Sequence, residues 1–159
     1  MRYLLGCLAL IFLCLGSCSK KKCDYTDDGT VAPKIEQDAV QKYLDSAGIS
    51  ATLHARGFYY KIDSLGAGPN PGECTEIDVA YTGTLTNGAV FDQQTSYATQ
   101  LSNLIDGWQQ GVPLIKKGGR IWLYIPPSLG YGSQAISAGN VTIPASSILI
   151  FDIHLLDVQ

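Results

Sequence analysis

Positive charge is scarce in this chain. Lys and Arg number 11 against 14 Asp and Glu, a formal net charge of −3. No basic stripe interleaves with aromatics, so no nucleic-acid partner is expected. Histidine is scarcer: His54 and His154 stand far apart with no partner pattern around either, and both read as structural. There is no Cys-x-x-Cys pair and no His cluster, which leaves zinc and dithiol redox chemistry without a basis in the sequence. Neither a metal nor a cofactor is expected, and no familiar hydrolytic constellation is legible. Only one long apolar run exists, Tyr3–Leu15, and it is too short for a comfortable membrane span.

That run carries the first positive signal. Arg2 precedes it and Leu15-Gly16-Ser17-Cys18 ends it, the architecture of a secretory signal. The last four residues resemble a bacterial lipobox, so residues 1–17 are expected to be removed and Cys18 to become the lipidated N-terminus. Several acyl chains together give stable membrane anchoring. Loss of residues 1–17 takes one base (Arg2) and no acid, leaving 10 basic against 14 acidic residues, or −4. Cys7 and Cys14 leave with the signal, and Cys23 and Cys74 remain. Export to an oxidising compartment favours a bridge between them, although sequence alone does not bring the two together. A bridge would tie the stretch after the anchor to the loop before the main run of strands.

Residues 18–32 read as a polar tether. Residues 33–50 read as an amphipathic helix that packs on the main domain, with Ile35, Ala39-Val40 and Tyr43-Leu44 on one face, Pro33 at its first position and Gly48 as its stop. A monomer is favoured over a dimer made through this helix. From residue 51 to 159 the period becomes two, and 17 Gly and 9 Tyr suit strands joined by tight turns. Strands are expected at 57–62, 77–85, from Val90 to Asp92, at 120–125 and at 147–158. Asn87-Gly88 is a hairpin signal. Residues 93–100 read as a polar loop and Ser128–Asn140 as a long Gly/Ser loop carrying Tyr131.

One short helix interrupts these strands. Ile105-Asp106-Gly107-Trp108 opens it, apolar residues recur at 108, 112 and 115, and Pro113 limits its length. The fold class is therefore α+β: a curved antiparallel β-sheet wrapped on one short central helix, with an N-terminal helical extension. Trp108 then either fills the core or floors a hollow between helix and sheet.

The ordered motifs decide between those readings. They are Val79-x-Tyr81-x-Gly83-x-Leu85-x-x-Gly88-x-x-Phe91-Asp92, Ile105-x-Gly107-Trp108, Gly118, Ile125-Pro126, Tyr131-Gly132, Ile143-Pro144 and Leu149-x-Phe151. In this order the chain resembles the FKBP-type peptidyl-prolyl cis-trans isomerases across about residues 57–158, and the lipobox and short helix look like its bacterial envelope members. The resemblance implies a pocket at Tyr81, Phe91, Asp92, Tyr97, Leu104, Ile105, Trp108, Tyr131, Ile143 and Phe151. Tyr81, Asp92, Ile105 and Tyr131 would act on the peptide bond; the others would hold the substrate. In the family the substrate proline rests over the Trp, the Ile backbone N–H and a Tyr hydroxyl donate to substrate carbonyls, and the Asp carboxylate lies beside the twisting imide. Gln93, Gln94 and Thr142 depart from the usual residues, which bears on substrate preference more than on fold.

The implied function is isomerisation of X-Pro segments in exported proteins at the cell envelope, by a lipid-anchored protein facing the periplasm. Macrolide inhibitors are the implied small-molecule ligands. A non-catalytic peptide-binding or chaperone lipoprotein on the same fold is the alternative.

Overall fold

The computed structural model describes Cys23 and residues 25–138 and 141–159. The expected signal at residues 1–17 and the lipidation site Cys18 lie outside the described residues. The elements follow the chain as α1 (Lys34–Ala47), β1 (Thr52–Leu53), β2 (Tyr59–Ser64), β3 (Glu76–Leu85), β4 (Val90–Gln100), α2 (Asp106–Gly111), β5 (Arg120–Ile125), β6 (Ile136–Ala138), β7 (Val141–Ile143) and β8 (Leu149–Val158). One six-stranded sheet has the order β1-β2-β5-β8-β3-β4, and every neighbouring pair in it is antiparallel. β6 and β7 form a separate hairpin.

Alternation along the strands sorts side chains to two faces. Ile77 and Val79 of β3, Ile121, Leu123 and Ile125 of β5, and Leu149, Phe151, Ile153 and Leu155 of β8 join one buried cluster with Trp108, Val112 and Ile115 from the α2 region. Tyr59, Tyr124 and Ile150 point to the other face and pack with Val40 and Leu44 of α1. The sheet thus carries α2 on one side and α1 on the other. Glu36 of α1 also reaches over to accept the Ser128 backbone N–H at 2.9 Å.

The docking of α2 is unusually close. A Cβ on Gly107 would stand 2.6 Å from Cδ1 of Ile125, and one on Gly111 would stand 2.6 Å from Cδ2 of Leu123. Any larger residue at either position would push the helix off β5. Pro113 falls just beyond α2, in a 3-10 turn over Val112–Leu114. There its missing N–H costs no α-helical bond.

Several expectations change on the structure. Residues 93–100 are strand, not loop: β4 runs to Gln100 as a sheet edge, and its register against β3 shifts between Val79 and Tyr81 and between Gly83 and Thr84, with one extra residue on β4 each time. An edge exposed on both faces has no reason to alternate, so its polar run mimics a loop. Over its described part, residues 128–138, the expected Gly/Ser loop is also more ordered than expected. It begins in a 3-10 turn at Pro127–Leu129 and enters the β6–β7 hairpin. The expected 57–62 strand sits two residues later, and the two-residue β1 pairs with it.

In α1, Ile35 is 80% exposed while Val40 and Leu44 are buried. Five residues separate Ile35 from Val40, a turn of roughly 140° beyond one full circle, so the two cannot share a narrow stripe. Pro33 is the N-cap rather than the first helical residue, and Gly48 closes the helix in the left-handed region at φ 66°.

The tether is not free over its described part. The Ala32 N–H donates to the Arg56 carbonyl at 2.9 Å, and Arg56 Nη1 donates to the Thr30 carbonyl at 2.8 Å. Arg56 also pairs with Asp27. Cys23 and Cys74 are joined by a disulfide with Cα atoms 5.7 Å apart. Cys74 lies between β2 and β3, inside the domain rather than before it.

Replacing Gly107 by Ala should lower the unfolding free energy by about 1–3 kcal/mol through overpacking against Ile125. Urea denaturation of parent and variant measures it, and an unchanged midpoint would contradict the close docking.

Candidate active site

The 3-10 turn Leu101–Asn103 delivers the chain to Leu104 and Ile105, and Ile105 caps α2. The Ile105 carbonyl accepts the N–H groups of Trp108 at 2.9 Å and Gln109 at 3.1 Å. This fixes Trp108 in the first turn, over the sheet. Among the described residues the Ile105 N–H has no assigned acceptor.

Around Trp108 the aromatics meet edge to face. Tyr81 and Phe151 each have ring centroids 5.1 Å from it, at interplanar angles of 89° and 83°. Phe91 backs Phe151 at 5.5 Å and 89°, and Tyr97 meets Tyr81 at 6.2 Å. These are favourable quadrupole geometries and each holds its neighbour's orientation. Gly83 makes the arrangement possible, since a Cβ there would stand 2.7 Å from Phe91 and 2.9 Å from Phe151.

The result is a hollow of about 180 Å³ lined by Tyr81, Asp92, Tyr97, Asn103, Leu104, Ile105, Trp108, Tyr131 and Phe151. Trp108 is only 3% exposed yet lines this space, so core residue and floor are one role here. Of the ten residues singled out in the sequence, eight line the hollow. Phe91 and Ile143 do not: Phe91 supports Phe151 from behind, and Ile143 is buried in β7 among the main cluster. Neighbouring Thr142 is exposed.

Asp92 is the one carboxylate in the lining. The Tyr81 hydroxyl donates to its Oδ2 at 2.6 Å, so that hydroxyl is committed. Burial, followed by the hydrogen bond and charge of Asp92, pushes the Tyr81 phenol well above its ordinary value. Tyr131 is also raised, by burial and then by the Asp92 charge. Among the described residues its hydroxyl has no side-chain partner, and Tyr131 is 38% exposed. Tyr131 and the Ile105 N–H are therefore the donors available to a ligand.

Two residues escaped the sequence reading. Asn103 lines the hollow from an exposed position and carries no legible signal in the sequence. Gln109 is a buried polar side chain, 7% exposed. Its Nε2 donates to the Leu104 carbonyl at 2.6 Å and the Ser102 carbonyl at 3.3 Å, joining α2 to the wall. A polar residue one step after the Trp, at a helix position facing the core, could have suggested it.

The two histidines lie elsewhere: His54 stacks on Phe58 at 4.4 Å, and His154 is exposed opposite Ala80 and Arg120. Among the described residues no group of three His, Cys, Asp or Glu side chains could hold a metal ion.

Comparison with known proteins gives one family. The sequence profile described as FKBP-type peptidyl-prolyl cis-trans isomerase matches residues 68–156, more than half of the chain. The FKBP-type peptidyl-prolyl cis-trans isomerase FkpA of Buchnera aphidicola subsp. Schizaphis graminum is 46% identical over 127 residues, covering 76% of this chain and 47% of that protein. FkpA of Escherichia coli K12 is 36% identical over 140 residues, covering 79% and 50%. The crystal structure of E. coli FkpA superposes with a TM-score of 0.68 at 34% identity, over 79% of this chain and 60% of that one. A peptidyl-prolyl cis-trans isomerase from Pseudomonas syringae pv. tomato gives 0.66 at 27% identity, over 82% and 98%. The chain spans about half the length of the curated relatives it matches.

The raised Tyr81 value has a sign that can be checked. The fold keeps this phenol protonated, so its contribution to stability is fully present below the unfolded value of about pH 10 and is lost as pH rises towards the folded value. Phenolate absorbance should show late-titrating tyrosines, one fewer in Tyr81→Phe. That variant should also lose less stability than the parent above pH 10, followed by denaturant midpoints across the alkaline range.

Proposed function

The chain belongs to the FKBP-type peptidyl-prolyl cis-trans isomerase family, and from that premise we propose that it isomerises X-Pro bonds in exported proteins while anchored at the bacterial envelope. The observation that carries the reading is the hollow itself: an aromatic cup floored by Trp108, with the Ile105 N–H and the Tyr131 hydroxyl uncommitted.

Rotation about a peptide C–N bond faces a barrier of roughly 18–20 kcal/mol, because resonance holds it planar. Uncatalysed X-Pro bonds therefore take tens to hundreds of seconds to convert. Planar resonance places negative charge on the carbonyl oxygen, which water stabilises. The twisted state has lost that resonance and is less polar, so an aromatic hollow favours it over the ground state.

In this site Trp108 would lie under the pyrrolidine ring, with Phe151, Tyr97 and Leu104 as walls. The Ile105 N–H and the Tyr131 hydroxyl would hold substrate carbonyls and fix the chain on either side of the turning bond. Asp92, held in place by Tyr81, would face the imide as an acceptor. The chemistry needs no nucleophile and no proton transfer. Macrolide inhibitors would compete for the same floor.

Location rests on Leu15-Gly16-Ser17-Cys18, with Cys18 lipidated and the domain facing the periplasm. Among the described residues no helix is long and apolar enough to cross a membrane. Labelled fatty acid supplied to bacteria making the full chain should appear on the protein and vanish in Cys18→Ala. Label that persists in the variant would remove the anchor.

Activity is tested with the purified chain on an X-Pro peptide in a protease-coupled assay. Tyr131→Phe should lower kcat/KM about fivefold to tenfold, the worth of one hydrogen bond of roughly 1 kcal/mol. Asp92→Val should lower it at least as much, with both variants folded by circular dichroism. Conversion at the background rate, with peptide still bound, would favour the non-catalytic peptide-binding reading.

A further inference from the structure

The isomerase reading gives no role to Cys23 and Cys74, yet their bridge stands directly behind one wall of the hollow. Cys74 lies in the loop between β2 and β3. Its neighbours Glu73 and Thr75 accept, at their carbonyls, the N–H of Ser102 at 2.8 Å and of Leu101 at 3.0 Å. The Cys74 carbonyl accepts the Gln100 side-chain amide at 3.1 Å. All three donors belong to the end of β4 and the turn that runs straight into Asn103, Leu104 and Ile105. Cys23 Sγ itself lies 3.8 Å from Ser102 Oγ. From Cys23 the chain returns to the Arg56 clamp, where Thr30 and Asp27 are held. The wall is thus secured by a loop that is itself tied covalently to a strap clamped at its far end.

We propose that the Cys23–Cys74 disulfide is a positioning device for the Asn103–Ile105 wall, so that substrate binding at the hollow depends on the bridge being closed. The part that concerns substrate rests on the isomerase reading; the part that concerns the order of the wall does not. Opening requires a dithiol reductant. One of its thiolates attacks a bridge sulfur to form a mixed disulfide, and its second thiol displaces the protein sulfur. The dithiol is oxidised to its own disulfide, and two electrons and two protons pass to Cys23 and Cys74 as thiols. The loop at 73–75 then keeps its hydrogen bonds but loses its covalent tie, and the Leu101–Ile105 turn gains freedom. An amide displaced at this turn moves the Ile105 donor relative to the Trp108 floor.

The test uses the full chain, oxidised and after dithiothreitol, beside Cys23→Ser and Cys74→Ser. Hydrogen exchange read by mass spectrometry should speed up at 101–105 on reduction while β5 and β8 stay protected. KM for an X-Pro peptide should rise about threefold or more with kcat little changed. Both serine variants should match the reduced parent and ignore dithiothreitol. Exchange at 101–105 that is indifferent to reduction would overturn the proposal. So would faster exchange throughout the sheet with a loss of kcat, which would make the bridge a general staple. A chain inactive in both states, but with exchange faster only at 101–105, would sink the isomerase reading and leave the positioning of the wall supported.

Discussion

Gly107 and Gly111 carry no Cβ where Ile125 and Leu123 press against α2, and this contact sets how deep Trp108 sits. Six residues make a helix too short to be stable alone. It holds its shape because one side is pressed into the sheet and because Pro113 turns the chain away directly after it. With the helix axis fixed so near β5, the first turn must project Trp108 across β8 and β3, where Phe151 and Tyr81 wait. Even one added methyl on that side would lift the Trp and close the hollow from below. The site is therefore a by-product of close packing: the space left where a short helix cannot cover a wide sheet.

The polar parts of the site are arranged by the same economy. Tyr81 and Asp92 bond to each other across a stretch of regular pairing, in which Tyr81 stands opposite Gln94 and Gly83 opposite Asp92. That register makes the two side chains diagonal neighbours on one face of the β3–β4 pair. The opposite wall is made by irregular chain, which has no ladder to hold it. It borrows partners instead: Gln109 from within, and Glu73 and Thr75 from outside. A buried amide left without these carbonyls would be costly, so Gln109 ties helix and wall as firmly as an apolar contact would.

Much of this was legible in the residues. β3, β5 and β8 announce themselves by period two, because each has two distinct environments. The turn at Asn87-Gly88 and the stop at Gly48 rest on left-handed backbone that glycine adopts freely. β4 was hidden because its residues from Gln93 to Ala98 are exposed on both faces, so burial imposes no pattern. The β6–β7 hairpin was hidden by its length, since three-residue strands are too short to show a period. Ile35 misled for a related reason: apolar residues three to five apart look like one face until the angle of each is counted.

By itself the sequence determined the order of the two helices and the longer strands, the family and the residue types around the hollow, since these depend on local periodicity and on motifs that keep their spacing along the chain. Only the tertiary structure decided which of those residues touch the open space. Phe91 and Ile143 carry the right chemistry but stand one layer behind it, Asn103 joins it unannounced, and the Tyr81 hydroxyl is already engaged by Asp92. Tertiary structure also decided that Cys23 meets Cys74 behind the wall. The reason is common to all four: depth and pairing are relations between strands and loops far apart in the chain, set by sheet register and by how close a helix can approach. No local pattern records them.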